Sequence, residues 1–144
     1  MSLHNLDYLY RQTIMAYAQH PHHYQPMLGT ENYHIRKYNP TCGDVIDLAF
    51  NIDHDIVTDI HFYGDGCAIS KSSASMMTDL VIGKNTSQIT QLVDQFSKMV
   101  RGEAGNYNAL GEAQILSGVT KFPTRIKCAT LAWHALAELL AIEK

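Results

Sequence analysis

The sequence lacks a strong excess of either charge and has no long apolar run. Its 144 residues include 11 lysines and arginines against 14 aspartates and glutamates, a net charge of -3. Domains that bind nucleic acid usually carry a marked basic excess, so no nucleic acid partner is expected. No stretch approaches the roughly 18 apolar residues of a membrane span. Residues 1–5 lack the basic and then apolar pattern of a secretion signal. We therefore expect a cytoplasmic protein with no membrane partner.

Cysteine is also scarce. The chain has only three cysteines, Cys42, Cys67 and Cys128, and an odd number cannot close into a full set of disulfides. In a cytosolic domain, free thiols belong to the buried core, bind a metal or act as nucleophiles. The spacing matches no common zinc-finger pattern. From the residues alone, a shared metal or reactive site and scattered core cysteines are both open interpretations.

The chain contains enough apolar residues to form one hydrophobic core. Hydrophobic residues make up 46% of the sequence and charged residues 17%, which is typical of a globular domain and not of a disordered chain. No repeat, low-complexity tract or linker divides the chain. We therefore predict a single domain over residues 1–144.

Hydrophobic periodicity predicts one helix, then three strands, then further helices. Apolar positions three or four residues apart indicate a helix, and strict alternation indicates a half-buried strand. Two prolines exclude a helix through residues 19–26, and Pro123 favours the start of the last helix. The predicted helices run from Leu3 to Ala18, Cys67 to Val81, Ile89 to Val100, Glu112 to Leu116 and from Pro123 onward; the predicted strands run from Tyr33 to Tyr38, Ile46 to Ile52 and Ile56 to Phe62.

This order predicts an α+β domain in which helices pack on one face of a three-stranded antiparallel sheet. In the third strand, the alternation of Ile56, Thr58, Ile60 and Phe62 indicates one half-buried face. Trp133, in the last helix, is predicted to belong to the core. The first helix is predicted to pack on the domain, and its tyrosines leave a partner contact open.

The three cysteines all fall at junctions between predicted elements. Cys42 follows the first strand, Cys67 stands where the third strand gives way to a helix, and Cys128 lies in the second turn of the last helix. Junctions at one end of a small sheet can converge, and three thiolates with the carboxylate of Asp44 make a tetrahedral zinc site. A hard oxygen beside three sulfurs is the ligand expected to exchange most readily.

Cations and histidines lie near these junctions. Lys121, Arg125 and Lys127 crowd the approach to Cys128 and favour its thiolate form. The loop from His20 to His23 resembles a metal-binding segment by composition, and a solvated loop is the preferred interpretation. No phosphate-binding loop, Ser-His-Asp set or pair of acid/base carboxylates is present.

Three segments resemble a known family. They are residues 39–44 (NPTCGD), residues 64–70 (GDGCAIS) and residues 125–133 (RIKCATLAW). They are similar to the NifU N-terminal/IscU family of iron–sulfur cluster assembly proteins, and most similar to its SufU branch. Scaffold members of the IscU type have a histidine directly before the third cysteine, where this chain has Lys127. The longer stretch over residues 102–121 is also typical of the SufU branch.

The resemblance implies a fold, a metal and a reaction. The implied fold is the α+β sandwich predicted above, and the implied zinc ligands are Cys42, Asp44, Cys67 and Cys128. The implied activity is that of a zinc-dependent sulfurtransferase whose Cys42 accepts persulfide sulfur from a cysteine desulfurase of the SufS type. The sulfur then passes to downstream Suf assembly proteins. Arg125 is a candidate for docking or for steering the persulfide, with a plain surface charge as the alternative.

Two other functions were weighed. The first is a scaffold that holds iron or a [2Fe–2S] cluster on the same residues, since such clusters prefer thiolates and tolerate replacements. Lys127 argues against it because a cation cannot replace a ligating histidine. The second is a zinc hydrolase, which needs an open coordination position and usually a nearby base. Four protein ligands and the lack of a base in the sequence argue against it.

Overall fold

The computed structural model describes residues 3–143, with side chains over residues 8–141. Three strands form between the first helix and the remaining helices, as predicted. The helices are α1 (Leu3–Gln19), α2 (Ala68–Val81), α3 (Thr86–Val100) and α4 (Pro123–Glu143), and the strands are β1 (Tyr33–Asn39), β2 (Asp44–Asp53) and β3 (Ile56–Asp65); a 3-10 helix spans Asn108–Val119. The 3-10 helix is longer than the predicted Glu112 to Leu116 and bends at Gly111.

The sheet is antiparallel with the strand order β1-β2-β3. Leu48 of β2 lies opposite Ile35 of β1 on one side and Phe62 of β3 on the other, so these residues share one face. Helices α2 and α4 pack on that face, and α1 packs on α2. The predicted class, α+β with helices on one face of a three-stranded antiparallel sheet, is confirmed.

One detail of the β3 prediction is wrong. Ile60 and Phe62 are buried as the alternation indicated, whereas Thr58 is exposed and Val57 is fully buried in its place. Asn51 of β2 lies opposite Asp59, and the next residue, Ile52, lies opposite Val57, so β3 bulges at Thr58. A bulge of this kind moves the neighbouring side chains to the opposite face, and no alternation pattern in β3 itself reports it.

A buried pair of hydrogen bonds joins helices α2 and α4 within the core. The Trp133 ring of α4 stacks on Phe96 of α3 with 4.2 Å between ring centroids, which confirms Trp133 as a core residue. Its indole nitrogen donates to the Ser73 hydroxyl at 3.1 Å, and that hydroxyl donates to the Ala129 carbonyl at 2.5 Å. Because Ser73 belongs to α2 and Ala129 to α4, this link fixes the two helices relative to each other.

The segment between α1 and β1 covers the outer edge of β3. The Gln25 amide donates to the Phe62 carbonyl and the Phe62 amide donates to the His23 carbonyl, both at 3.0 Å. The Tyr24 hydroxyl adds a bond of 2.7 Å to the Gly64 carbonyl. We call residues 23–25 the edge strap. None of the helices within residues 3–143 has the combination of length and apolar character needed to span a bilayer.

Beyond the edge strap, a carboxylate lies buried against the sheet face opposite the helices. Glu31 Oε1 lies 3.2 Å from His61 Nε2, and the two side chains are 4% and 3% exposed. The carboxylate also accepts the backbone amides of Leu28 at 2.5 Å and Gly29 at 2.9 Å. The Leu28 amide bond is the largest of several bonds that lower the pKa of Glu31 from 4.5 to about 2.

This carboxylate predicts an acid-sensitive contribution to stability. A carboxyl whose pKa is lower in the folded chain stabilises it fully above its unfolded pKa, and loses that effect as the pH falls through the folded pKa. For Glu31 the loss spans the interval from 4.5 down to about 2. We expect Glu31→Gln to flatten the dependence of the unfolding free energy on pH in that interval. Urea unfolding from about pH 6 to about pH 2.5 measures it.

The matched control is Glu103→Gln, which removes an exposed carboxylate paired with Arg101 at the surface. Exposed pairs contribute little to stability, so this variant should retain the wild-type pH profile. Identical profiles for Glu31→Gln and wild type would contradict the assignment of the acid sensitivity to Glu31.

Candidate metal centre

Cys42 lies in the loop that joins β1 to β2. The Asn39 carbonyl accepts the Cys42 amide at 3.2 Å and the Gly43 amide at 2.8 Å, which closes a tight turn. Gly43 has a φ of +72°, a left-handed conformation that glycine adopts without strain. The next residue, Asp44, starts β2 and is buried. The turn therefore presents an exposed thiol directly above a buried carboxylate.

Cys67 caps the N-terminus of α2. Its sulfur accepts the Ser70 amide at 3.4 Å, as an N-cap side chain does, and its own amide donates to Asp44 Oδ1 at 2.9 Å. The second carboxylate oxygen, Asp44 Oδ2, lies 4.0 Å from Cys67 Sγ. The start of α2 is thus fixed to the start of β2.

Cys128 comes from α4 and completes the cluster. Its sulfur lies 2.9 Å from the sulfur of Cys42. One ligand atom each from Cys42, Asp44 and Cys128 lies within 4.8 Å of the other two. The sequence-predicted ligands therefore converge, with Cys67 joined to the group through Asp44. Scattered core cysteines, the alternative interpretation, do not describe this arrangement.

The centre has a further contact that the sequence analysis did not assign. Asn39 is buried, and its side-chain amide points at the Cys128 sulfur at 3.8 Å. Its side-chain oxygen accepts the Thr41 amide at 3.3 Å. Asn39 therefore supports both the turn that carries Cys42 and the sulfur of Cys128. The sequence carries no signal for this role, since the burial of Asn39 and its contact with Cys128 depend on the folded packing.

Burial raises the pKa of the Cys128 thiol well above its usual range, and the adjacent thiols of Cys42 and Cys67 add to the effect. Cys128 is 3% exposed, so little water reaches its sulfur. A thiolate at this position needs a positive charge beside it, which a divalent cation supplies.

The sulfurs border a large groove. A cavity of about 1430 Å³ lies between α1, the 3-10 helix and the start of α4, and both Lys121 and Arg125 line it together with the three cysteines. Lys127 lies elsewhere, in a small pocket beside Lys37 and His134. The expectation that all three cations crowd the approach to Cys128 holds for Lys121 and Arg125 and is wrong for Lys127. Lys127 and Cys128 are neighbours in the chain, but a helix directs adjacent side chains apart.

The histidine loop does not join the cysteines, and its side chains contact α2 at the surface. His22 Nδ1 lies 2.6 Å and His23 Nδ1 3.4 Å from the carboxylate of Asp79 in α2. Among the residues the structure describes, the grouping of ligand atoms that fits a metal ion is the one at Cys42, Asp44 and Cys128. The three histidines are exposed, as the preferred interpretation of a solvated loop expects, and the contacts with Asp79 also fasten the loop to α2.

A family model described as the NifU-like N terminal domain matches residues 9–129. The chain belongs to this family. The iron-sulfur cluster assembly scaffold protein IscU of Streptococcus pyogenes serotype M1 is 48% identical over 97% of this chain and 87% of that protein. The zinc-dependent sulfurtransferase SufU of Bacillus subtilis (strain 168) is 44% identical over 97% of this chain and 95% of its own.

A solved structure has a similar fold. It is an iron-sulfur cluster assembly scaffold protein for the SUF system from Fervidobacterium islandicum AW-1, with a TM-score of 0.82 and 29% identity over 96% of this chain and 99% of that one. The relatives carry both names, scaffold and zinc-dependent sulfurtransferase. Family membership therefore does not distinguish between these two functions, and the residues of the centre must be compared with each of them.

The donor set of this NifU-like domain fits a zinc ion. Zinc in proteins takes thiolate and carboxylate ligands, and its bond lengths of about 2.0–2.3 Å separate neighbouring ligand atoms by about 3.3–3.8 Å. The spread of up to 4.8 Å between Cys42, Asp44 and Cys128 is compatible with that spacing after small side-chain shifts. The Ser70 hydroxyl, one turn after Cys67, is buried without a hydrogen-bond partner. A polar group beside the centre can therefore still form a hydrogen bond.

Proposed function

We propose that this protein is a zinc-dependent sulfurtransferase that accepts persulfide sulfur from a cysteine desulfurase of the SufS type and supplies it to iron–sulfur cluster assembly. The observation that carries the proposal is the convergence of Cys42, Asp44 and Cys128, with Cys67 beside Asp44. The 44% identity to a relative named as a zinc-dependent sulfurtransferase supports it.

Cys42 is the proposed sulfur acceptor. It is exposed on a turn, whereas Cys128 is buried and Cys67 caps a helix. The Cys42 thiolate attacks the terminal sulfur of the persulfide on the partner's cysteine. A new bond forms between that sulfur and Cys42 Sγ, the sulfur–sulfur bond of the donor breaks, and its electron pair leaves on the donor's cysteine as a thiolate. The transfer needs no external oxidant or reductant.

The remaining residues hold the acceptor in place. Cys42, Asp44, Cys67 and Cys128 would hold the zinc, and when bound it supplies the positive charge that keeps the thiols deprotonated at neutral pH. The turn closed by Asn39 orients Cys42 toward the groove. Arg125 also borders the groove, and its guanidinium lies 4.5 Å from the centre of the Phe122 ring. We assign to Arg125 the steering of the anionic persulfide.

The test combines metal analysis with desulfurase stimulation. Protein purified without added metal should contain about one zinc ion per chain. A chelator should abolish its stimulation of a SufS-type desulfurase, and zinc should restore it. Equal stimulation by the metal-free protein would overturn the proposal.

A second candidate function is a scaffold for a [2Fe–2S] cluster, which the 48% identity to a relative named as a scaffold supports. The same three thiols would hold the cluster. Lys127 faces another pocket and offers no ligand, which favours the sulfurtransferase. Anaerobic reconstitution distinguishes the two, because a stable visible absorption with stoichiometric iron and sulfide favours the scaffold.

A further inference from the structure

The groove beside the cysteines is positively charged, although the chain as a whole is acidic. Three cations, Arg11, Lys121 and Arg125, line it, and its described lining includes no aspartate or glutamate. The whole chain carries 14 acidic residues against 11 basic ones. A groove lined by positive charges, in a protein of negative net charge, has a strong local positive potential.

Two carboxylates near the groove are directed elsewhere. Asp44 belongs to the cysteine centre and accepts the Cys67 amide. Glu112, on the 3-10 helix, accepts the Tyr17 hydroxyl and does not line the groove. Within the described chain, neither Lys121 nor Arg125 has a carboxylate at ion-pair distance. The charge of these two residues is therefore available to an incoming molecule.

The rest of the groove is largely apolar. Ile14 and Met15 of α1 form one wall, and Ile115 of the 3-10 helix lies among the opposite lining residues. Met15 and Phe122 are each 47% exposed, so large apolar surface is open beside the cations. A volume of about 1430 Å³ exceeds the roughly 300–1000 Å³ of pockets for small molecules. The size fits a protein segment better than a free thiol.

We infer that this groove, the cationic groove, binds an acidic segment of the sulfur-donating desulfurase in which carboxylates alternate with apolar side chains. The inference rests on the proposed function for the identity of the partner. A carboxylate of the segment pairs with Lys121, its apolar side chains pack between α1 and the 3-10 helix, and Arg125 stays available to the persulfide. The 3-10 helix, Asn108–Val119, lies within residues 102–121 and forms one wall of this docking site.

The test is direct binding to a SufS-type desulfurase without its cysteine substrate, so that the result does not depend on sulfur transfer. Lys121→Glu reverses one charge in the groove and should weaken the affinity about five- to tenfold and reduce its salt dependence. Lys121→Arg keeps the charge and should bind like wild type. Lys84→Glu makes the same charge change outside the groove and is the matched control, with wild-type affinity expected.

Equal weakening by Lys84→Glu and Lys121→Glu would assign the effect to net charge and overturn the inference. Unchanged affinity of Lys121→Glu for the desulfurase would overturn it as well. A loss of self-association in Lys121→Glu would also overturn it, because that result would identify a second copy of this chain as the occupant of the groove. These outcomes are distinct from failure of the proposed function. A wild-type protein that binds through Lys121 and accepts no sulfur would contradict the proposed function and support the groove.

Discussion

Replacing Cys42 by serine should abolish sulfur acceptance and leave the fold intact. The side chain is exposed and the turn around it is held by backbone bonds to Asn39, so the substitution removes little packing. Serine keeps the size of the side chain and loses the nucleophile. Enzymes that lose their nucleophile fall in rate by about a thousandfold or more, and we expect at least that loss in sulfur transfer to this protein.

The measurement is mass spectrometry of the protein after incubation with a desulfurase and cysteine. Wild type should gain one sulfur atom on the peptide that contains Cys42, and Cys42→Ser should gain none. Circular dichroism and the urea midpoint of Cys42→Ser should match those of the metal-free wild type.

Cys67→Ser provides the matched comparison, since it also replaces a sulfur of the centre but leaves Cys42 in place. We expect Cys67→Ser to weaken metal binding and to retain a slow persulfide on Cys42. Persulfide found on Cys67 or Cys128 of wild type would reject Cys42 as the acceptor.

Gly64→Ala is expected to be the most destabilising single substitution near the centre. Gly64 of β3 has a φ of +139°, and a Cβ atom there would lie 2.1 Å from the Val45 carbonyl oxygen of the neighbouring strand. The backbone strain and the overlap together should cost about 3 kcal/mol or more. That is a large part of the 5–15 kcal/mol typical of a domain. Asp44 directly precedes Val45 in β2, and Cys67 follows the end of β3, three residues after Gly64, so the centre should be disturbed as well.

Gly43→Ala separates the effect of backbone strain from the effect of steric overlap. Gly43 also has a positive φ of +72°, but a Cβ atom there has nothing within 4 Å. It should cost only the conformational term, about 1 kcal/mol. Urea unfolding of both variants measures the difference. If Gly64→Ala costs no more than Gly43→Ala, the strands separate easily at Val45, and the overlap does not limit the fold.

Local sequence patterns were sufficient to predict the helices and strands of the chain. The helices follow their apolar periodicity, α2 ends at Val81 just before Gly83, and α4 starts at Pro123 as predicted. These features are properties of neighbouring residues, which is why a single sequence reports them. The exposure of Thr58 was missed because it depends on a bulge in β3 that is defined by the pairing with Asn51 and Ile52 of β2.

The candidate centre could be predicted only in part. The junction positions of Cys42, Cys67 and Cys128 indicated that they converge, and the resemblance supplied the ligand set. The contact between Asn39 and the Cys128 sulfur joins residues 89 positions apart. The Glu31–His61 pair joins residues 30 positions apart. Neither pair leaves a local pattern, since a contact over such a separation depends on the finished packing.

The edge strap has a consequence for the behaviour of the protein in a crowded solution. An exposed edge strand offers unpaired amides and carbonyls to the strands of other molecules, and it is a starting point for fibrous aggregation. Both polar backbone groups of Phe62 on the β3 edge are occupied by residues 23–25, and the Gly64 carbonyl by the Tyr24 hydroxyl. The middle of that edge is therefore closed to strand addition. The edge strap therefore protects the β3 edge of the sheet from pairing with other copies of the chain.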